Sequence, residues 1–403
     1  MAALKPTWRT ADLLAAVAIV DAAISGLALA AAGLPLLAAG VVILTAGLLL
    51  AHQGAGSARL KVLIVLGLIT VLFVIPEAVL IALRSAQAPV QDGLLLTDAA
   101  ARRLLAGHDP YGHDYLDDPA LRSFFLPEFP VNPLLGHFVY PPGLVLLAAP
   151  LVAAGLSFAW FWVAAIIGLA GGAWLAGGRA GMIVVALNPL LLLDYLNLFN
   201  DLLFLAPALA GVGLLIRRRG LPAGILLGLA LVIKQSAIIL LIPAALAAWL
   251  LLPASQRLRF AAALTGLPVL VASPFLAWNA SSLLSDTAAY FYGSGLETFP
   301  IRGYGLPGLL LSWGILSSRW APYPAPVIQL LALGPLLAAG AVILRERFTL
   351  PGFWLWTATI SLAVFLFGRT LAPNYVTIAA VLFGLALASS LEDADLPARL
   401  ERE

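Results

Sequence analysis

The sequence predicts an all-α, polytopic transmembrane bundle of roughly 11 to 13 helices, and three observations predict it. The first is composition: 62% of the 403 residues are hydrophobic, only 10% are charged, and mean hydropathy is +1.02. Soluble domains carry about 25% charged residues. A soluble fold of this size has no way to hide so much apolar surface, whereas lipid tolerates it. The second is run length. A helix needs about 20 apolar residues to cross a bilayer, and runs of that order recur from 11–32 to 372–390. The third is charge placement: Lys and Arg fall in short gaps between runs, the pattern of cytoplasmic loops.

Taken in order, residues 1–403 read as a single integral membrane domain. Runs at 11–32, 34–52 and 60–83 give three spans. Lys5 and Arg9 precede the first, but no short apolar core with a small-residue cleavage site follows, so that run is read as a retained span. Residues 84–140 form the longest hydrophilic stretch, holding Asp92, Asp98, Asp109, Asp114, Asp117, Asp118 and Glu128 with His108, His113 and His137. Within it, 93–106 is expected as an interfacial helix with Asp98 and Arg102 paired at i, i+4, Gly107 ending it and Pro110 following. Runs at 141–156, 157–177 and 181–196 give an odd number of crossings between Tyr140 and Asn197 where an even number is needed. One of them is therefore expected to be short, tilted or re-entrant. After 199–216, the 221–251 stretch has about 31 residues in which to go out and return, as two short helices meeting near Lys234. A span at 258–279, a second loop at 280–304, a half-span at 305–316 broken by Pro307, and spans at 325–344, 351–367 and 372–390 complete the chain.

Arg59, Lys61, Arg217, Arg218, Arg219, Arg257, Arg259, Arg345 and Arg347 join Lys5 and Arg9 in the cytoplasm. Residues 84–140, 280–304 and 368–374 then face the extracytoplasmic side, the first carrying short interfacial helices. The Ala-, Leu- and Gly-rich composition points to a GC-rich bacterial genome, and so to a bacterial plasma membrane. A net charge of +2 gives no basis for a nucleic-acid partner. The absence of cysteine excludes disulfides and thiolate metal sites. No internal repeat of fixed period is present.

Ionisable groups at membrane depth cost roughly 2.5–3.5 kcal/mol each on insertion scales, so each one needs a reason. Asp92 sits where the chain leaves the third span, Lys234 at the tip of an apolar hairpin, Arg302 in the second outer loop and Arg369 at the head of the last. Three cations near one leaflet suit a phosphate at headgroup level, each contact being worth up to roughly 4 kcal/mol before desolvation. A carboxylate opposite a phosphate site is what glycosyl transfer needs: the base takes a proton from the acceptor hydroxyl while cations stabilise the departing phosphate. Each residue also has a plainer reading. Asp92 can cap the 93–106 helix. Lys234 can snorkel to the headgroups, and Arg302 and Arg369 can anchor the interface. Asn374 and Tyr375 either orient the ligand or cap the last helix and join the aromatic belt. Trp278, Tyr290, Tyr292, Trp320 and Tyr323 fit that belt or a sugar-stacking surface. Asp117 and Asp118, and His108 and His113, lack the further ligands a metal needs and read as solvated loop.

The stretch running from Asp92 through Ala99-Ala100 and Leu104-Leu105 to Asp109-Pro110-Tyr111 resembles the first outer loop of GT-C-fold glycosyltransferases, closest to the polyprenol-phosphate-mannose-dependent mannosyltransferases of bacterial envelopes. Tyr140-Pro141-Pro142 resembles the start of their next helix. Asn188-Pro189, Asn197 to Asp201, the Arg217–Gly220 turn and the apolar run ending at Lys234 resemble their central region. The match covers about half the chain, mainly 85–240. It implies a GT-C-like fold, Asp92 as catalytic base and Lys234 near the donor phosphate. It further implies a polyprenyl-phosphate sugar donor, mannose by family. The reading is an inverting transfer of that sugar to a lipid or glycan acceptor, with no metal or other cofactor expected to be essential, because the cations can neutralise the leaving phosphate. Arg302, Arg369, Asn374 and Tyr375 are the further donor-site candidates. Tyr111, Tyr140, Asp201 and Gln235, in or beside these motifs, are the substrate-site candidates. The family's Asp is often followed by an aromatic residue and a Tyr pair, where this chain has Gly93, Leu96 and Thr97, and two spans precede the leading helix where one is usual. The alternative of a lipid-linked glycan flippase or solute transporter predicts internal repeats and midplane polar sites, and neither is evident. A non-enzymatic glycan-binding or assembly protein is the third reading, and it predicts that Asp92 is dispensable.

Overall fold

The computed structural model describes residues 10–55, 57–83, 92–122, 136–290 and 298–400. Lys5, Arg9, Glu128 and Tyr292 lie outside these ranges. Helices α1 (Thr10–Ala31) and α2 (Pro35–Gly54) pack as a pair. Helix α3 (Ala58–Ile69) starts at Ser57, whose hydroxyl accepts from the Leu60 N–H at 3.1 Å. A π-turn at Thr70–Val74 joins it to α4 (Ile75–Leu83). Where that turn disturbs the backbone ladder, Ser25 of α1 donates to the Leu72 carbonyl at 2.6 Å.

Helix α5 (Asp92–Leu105) ends as expected at Gly107, whose φ of +79° is a left-handed conformation that suits glycine. The Gly107 N–H donates to Leu104 O and the His108 N–H to Arg103 O, which satisfies two orphan carbonyls. A single turn, α6 (Pro119–Arg122), follows, then α7 (Pro142–Ala153) and α8 (Trp160–Ala186). The expected Asp98–Arg102 pair is not formed. Arg102 bonds Asp118 at 2.7 Å, while Asp98 accepts from the Phe158 N–H at 3.0 Å and the Ser157 hydroxyl at 3.1 Å. Two directed bonds to the chain entering α8 outweigh an exposed i, i+4 pair worth only a few tenths of a kcal/mol.

Helix α8 is two helices joined at Gly177 and Gly178, the latter at φ +60°, ψ −152°. A Cβ at Gly181 would lie 2.8 Å from Ala173 O, so the chain doubles back there. The second limb continues into α9 (Pro189–Leu196), so 160–196 runs out and back within the bundle. The odd run is α7. Its start is held by Tyr140, whose carbonyl accepts from Tyr111, and the chain beyond its end is held by Asp98 of α5. At 12 residues it spans about 18 Å, too short to cross.

Helices α10 (Asp201–Ile216) and α11 (Gly220–Ile233) form the next hairpin, followed by a 3₁₀ turn (Gln235–Ala237), α12 (Ile238–Leu251) and α13 (Ala254–Leu284). The expected split of 221–251 at Lys234 is present, because Lys234 is extended at φ −151°, ψ 129°. Helix α14 (Leu306–Ser312) is the short element broken out by Pro307, and α15 (Ala325–Glu346), α16 (Leu350–Leu366) and α17 (Pro373–Leu400) complete the bundle. Seven helices among the described residues are long and apolar enough to cross a membrane, and five shorter apolar helices accompany them. Ile43, Leu44, Leu258, Leu270, Leu330 and Leu331 are exposed on the outside of the bundle. The chain is a multi-pass helical membrane protein, apolar outward because lipid is its solvent.

The turns sort to two ends. At one, Arg179 bonds His52 at 2.6 Å, Arg217 donates to the Leu175 and Gly213 carbonyls, and Gly220 abuts Gln256. At the other, the ends of α9, α11, α13 and α16 meet the starts of α7, α10 and α17.

Candidate functional site

The second end is built around Lys234. Helix α9 closes with Leu198 in the left-handed region (φ 57°), its N–H on Tyr195 O and the Phe199 N–H on Asp194 O. A leucine there stores about 1 kcal/mol or more of strain. The turn delivers Asn200 and Asp201 to Lys234, whose Nζ donates to Asn200 Oδ1 at 2.6 Å and Asp201 Oδ1 at 2.7 Å. Asn374, at the start of α17, donates to Asp201 Oδ2 at 2.5 Å. The ammonium also lies 5.6 Å from the Tyr375 ring centroid, and Tyr375 stacks on Phe365 at 4.2 Å. All four network residues are buried. Satisfying Lys234 with the Asp201 carboxylate and the Asn200 amide oxygen is what makes a buried charge tolerable.

Arg369 stands on the segment between α16 and α17. Just beyond it, strand β2 (Thr370–Leu371) pairs in parallel with β1 (Arg302–Gly303), and the Arg302 N–H donates to Arg369 O at 3.2 Å. Gly303 has φ +78°, and any Cβ there would collide with Leu371 O. Arg369 is only 4% exposed. Its Nε donates to Phe299 O at 3.0 Å and its Nη1 to Ala321 O at 3.4 Å. Its Nη2 has no partner among the described residues, and neither does the Thr370 hydroxyl. Burial pulls its pKa below the ordinary guanidinium value, partly opposed by Tyr323. No carboxylate among the described residues pairs with it.

Arg369 and Thr370 line a cleft with a cavity volume of about 60 Å³, within about 550 Å³ of space that includes open solvent. Its walls are the start of α12 (Ile238, Ile239), the start of α15 (Ala325, Gln329) and the end of α16 (Val364, Phe365), with Gln235 and Tyr375 completing it. The arrangement is one fixed cation and a few polar atoms in an apolar cleft between helices, suited to an anionic head on an apolar tail.

Of the residues singled out in the sequence, Lys234, Asp201, Asn374, Tyr375, Gln235, Arg369 and Arg302 gather at this end. Asp92 is buried at the first residue of α5, its Oδ1 accepting from the Gly93 N–H at 2.8 Å, where the helix dipole favours a carboxylate. Helix α5 packs on α7, and Gly143 of α7 is pressed against Val232, two residues before Lys234. Asp92 does not line the pocket at Arg369, and the counter-ion of Lys234 is Asp201. Tyr111 and Tyr140 are buried braces, with Tyr111 Oη donating to Tyr140 O at 2.9 Å, and neither lines the pocket. Tyr290 and Tyr323, expected in an interfacial belt, are 4% and 5% exposed and pack inside, whereas Trp278 and Trp320 are exposed.

Sequence reasoning missed Asn200, Thr370 and Gln329, single polar residues whose only signal is their place at a helix end. It also missed a clasp between the two long loops. Asp286 accepts from the Gly112 N–H and pairs with His137, both at 2.8 Å, and His137 lies on Tyr290 with ring centroids 3.9 Å apart. Phe299 packs edge-on against Tyr290 and carries the carbonyl that holds Arg369. Among the described residues no three His, Asp or Glu side chains group as metal ligands. The chain matches no family model, no curated protein and no solved structure.

Proposed function

We propose that this membrane protein is an inverting glycosyltransferase that moves a sugar from a polyprenyl-phosphate donor to a lipid or glycan acceptor on the extracytoplasmic side. The observation that carries the reading is the pocket at Arg369: a buried guanidinium whose Nη2 has no partner among the described residues, set in an apolar cleft between α12, α15 and α16. An uncompensated buried cation is costly unless an anion completes it. A lipid phosphate completes it while its tail lies between helices. The basic turns at the opposite end support a cytoplasmic placement for that end, which leaves the pocket outside.

In this reading Arg369 holds the donor phosphate, Thr370 adds a hydrogen bond, and Arg302 lies beside them on the paired strand. Lys234, neutralised by Asp201, keeps the ends of α10, α11 and α17 together beneath the ligand and adds positive potential through its remaining N–H. A base takes the proton from the acceptor hydroxyl as that oxygen forms its bond to the anomeric carbon, and Asp92 is the residue the family resemblance names for that role. The bond from that carbon to the phosphate oxygen breaks, and the lipid phosphate leaves with the electron pair, stabilised by Arg369. Attack opposite the leaving group inverts the anomeric centre. The family resemblance favours mannose as the sugar.

The test is incubation of purified protein with a panel of polyprenyl-phosphate sugars and glycolipid acceptors, read by mass spectrometry. A glycosylated acceptor and released polyprenyl phosphate are expected, and both vanish with Arg369→Gln. Solute or lipid counterflow in vesicles with no glycosyl product would replace the proposal with a transporter.

A further inference from the structure

The donor pocket contains a demand that a phosphate cannot meet. Gln235, on the 3₁₀ turn after Lys234, donates through Nε2 to the Val139 carbonyl at 3.0 Å. A carbonyl only accepts, so the amide group facing it is the NH₂ and the orientation of the side chain is fixed by chemistry. Its Oε1 is buried and has no partner among the described residues, while the residue lines the same pocket as Arg369. Arg369 and Gln235 thus line one pocket, and each has a buried atom without a partner among the described residues: Nη2, a cationic donor, and Oε1, a neutral acceptor. An ionised phosphate satisfies the first and offers nothing to the second. Leaving a buried acceptor unpaired is penalised, and a ligand hydroxyl removes the penalty.

We infer that Gln235 is a specificity-determining residue that accepts a hydrogen bond from a sugar hydroxyl next to the lipid phosphate, so that the pocket selects glycosylated lipid phosphates over non-hydroxylated ones. This rests on the donor-site reading above. The expected discrimination is that of one buried neutral hydrogen bond, about tenfold.

The experiment measures binding of two lipids of equal charge to the purified full-length protein in detergent: a polyprenyl-phosphate hexose and the polyprenyl methyl phosphate diester, which lacks hydroxyls. Wild type binds the hexosyl lipid about tenfold more tightly. Gln235→Met loses that preference while binding the methyl diester within about twofold of wild type, and Arg369→Gln weakens both lipids. A series of monodeoxy hexosyl lipids on the wild-type protein gives the same answer without relying on the folding of the variant: removing one hydroxyl costs about tenfold, and that loss disappears in Gln235→Met. Equal binding of both lipids by wild type, a deoxy series without a sensitive position, or a Gln235→Met protein that keeps the preference overturns the role of Gln235. If Arg369→Gln binds both lipids like wild type, or if neither lipid binds wild type, the donor-site reading falls and takes this one with it.

Discussion

Asp201 is the hub of the Lys234 network, so Asp201→Asn is a sharp test of how that end of the bundle is held. The substitution keeps shape but removes the charge that faces Lys234 Nζ at 2.7 Å, and it places an NH₂ against either that ammonium or Asn374 Nδ2. At that separation and an effective dielectric of about 20, the lost attraction is roughly 6 kcal/mol. Because solvation of both ions opposes it, the loss seen on breaking a buried pair is about 3–5 kcal/mol. For a chain of this length that corresponds to a fall in midpoint of roughly 4–6 °C. The assay is thermal unfolding in detergent followed by tryptophan fluorescence, with the double variant Asp201→Asn, Lys234→Met as the control. Removing both charges leaves no orphaned ion, so the double variant regains at least half of the loss. An Asp201→Asn protein within about 2 °C of wild type, or losses that simply add in the double variant, would refute the claim that this ion pair organises the site.

Asp92→Asn is expected to abolish transfer while leaving binding of the hexosyl lipid within about twofold, measured by product mass spectrometry and lipid binding on one preparation. At Asp98, burial raises the pKa of the carboxyl, opposed by its bonds to Phe158 and Ser157 and by Arg102. A raised folded-state value means stability is fully present below the unfolded value and declines as pH rises through the folded one. Asp98→Asn, which keeps the Oδ1 acceptor without the charge, is therefore neutral or stabilising at pH 7 and flattens that decline. Asp98→Ala, which strands the Phe158 N–H, costs about 1 kcal/mol in a thermal-shift series. Gly143→Ala drives a methyl into the Val232 carbonyl and lowers stability by about 1–3 kcal/mol, read as a lower unfolding midpoint. Gly303→Ala combines a left-handed φ with a collision at Leu371 O, so it separates β1 from β2 and weakens lipid binding through Arg369 without touching the pocket.

The spans were legible because lipid imposes a length and a composition on any helix that crosses it. Local punctuation was legible too: Gly107 ends α5, and Lys234 divides the 221–251 stretch. The count between Tyr140 and Asn197 showed that one run fails to cross, but not which one. That was decided by Asp98 holding the chain beyond α7 and by the reversal at Gly177 and Gly178. Spacing on one helix made Arg102 the natural partner of Asp98, and packing gave each a partner from elsewhere.

The sequence by itself determined that this is a helical membrane protein, where its charged residues interrupt the apolar runs, and which cations share an end. Those properties follow from transfer free energies that each residue carries with it. Only the tertiary structure decided how the charges are spent. Lys234 is neutralised by Asp201, whereas Arg369 keeps an unpartnered NH₂ and lines one pocket with Gln235, whose Oε1 is also unpartnered among the described residues. Pairing depends on ångström distances between helices far apart in the chain, and no local pattern encodes those.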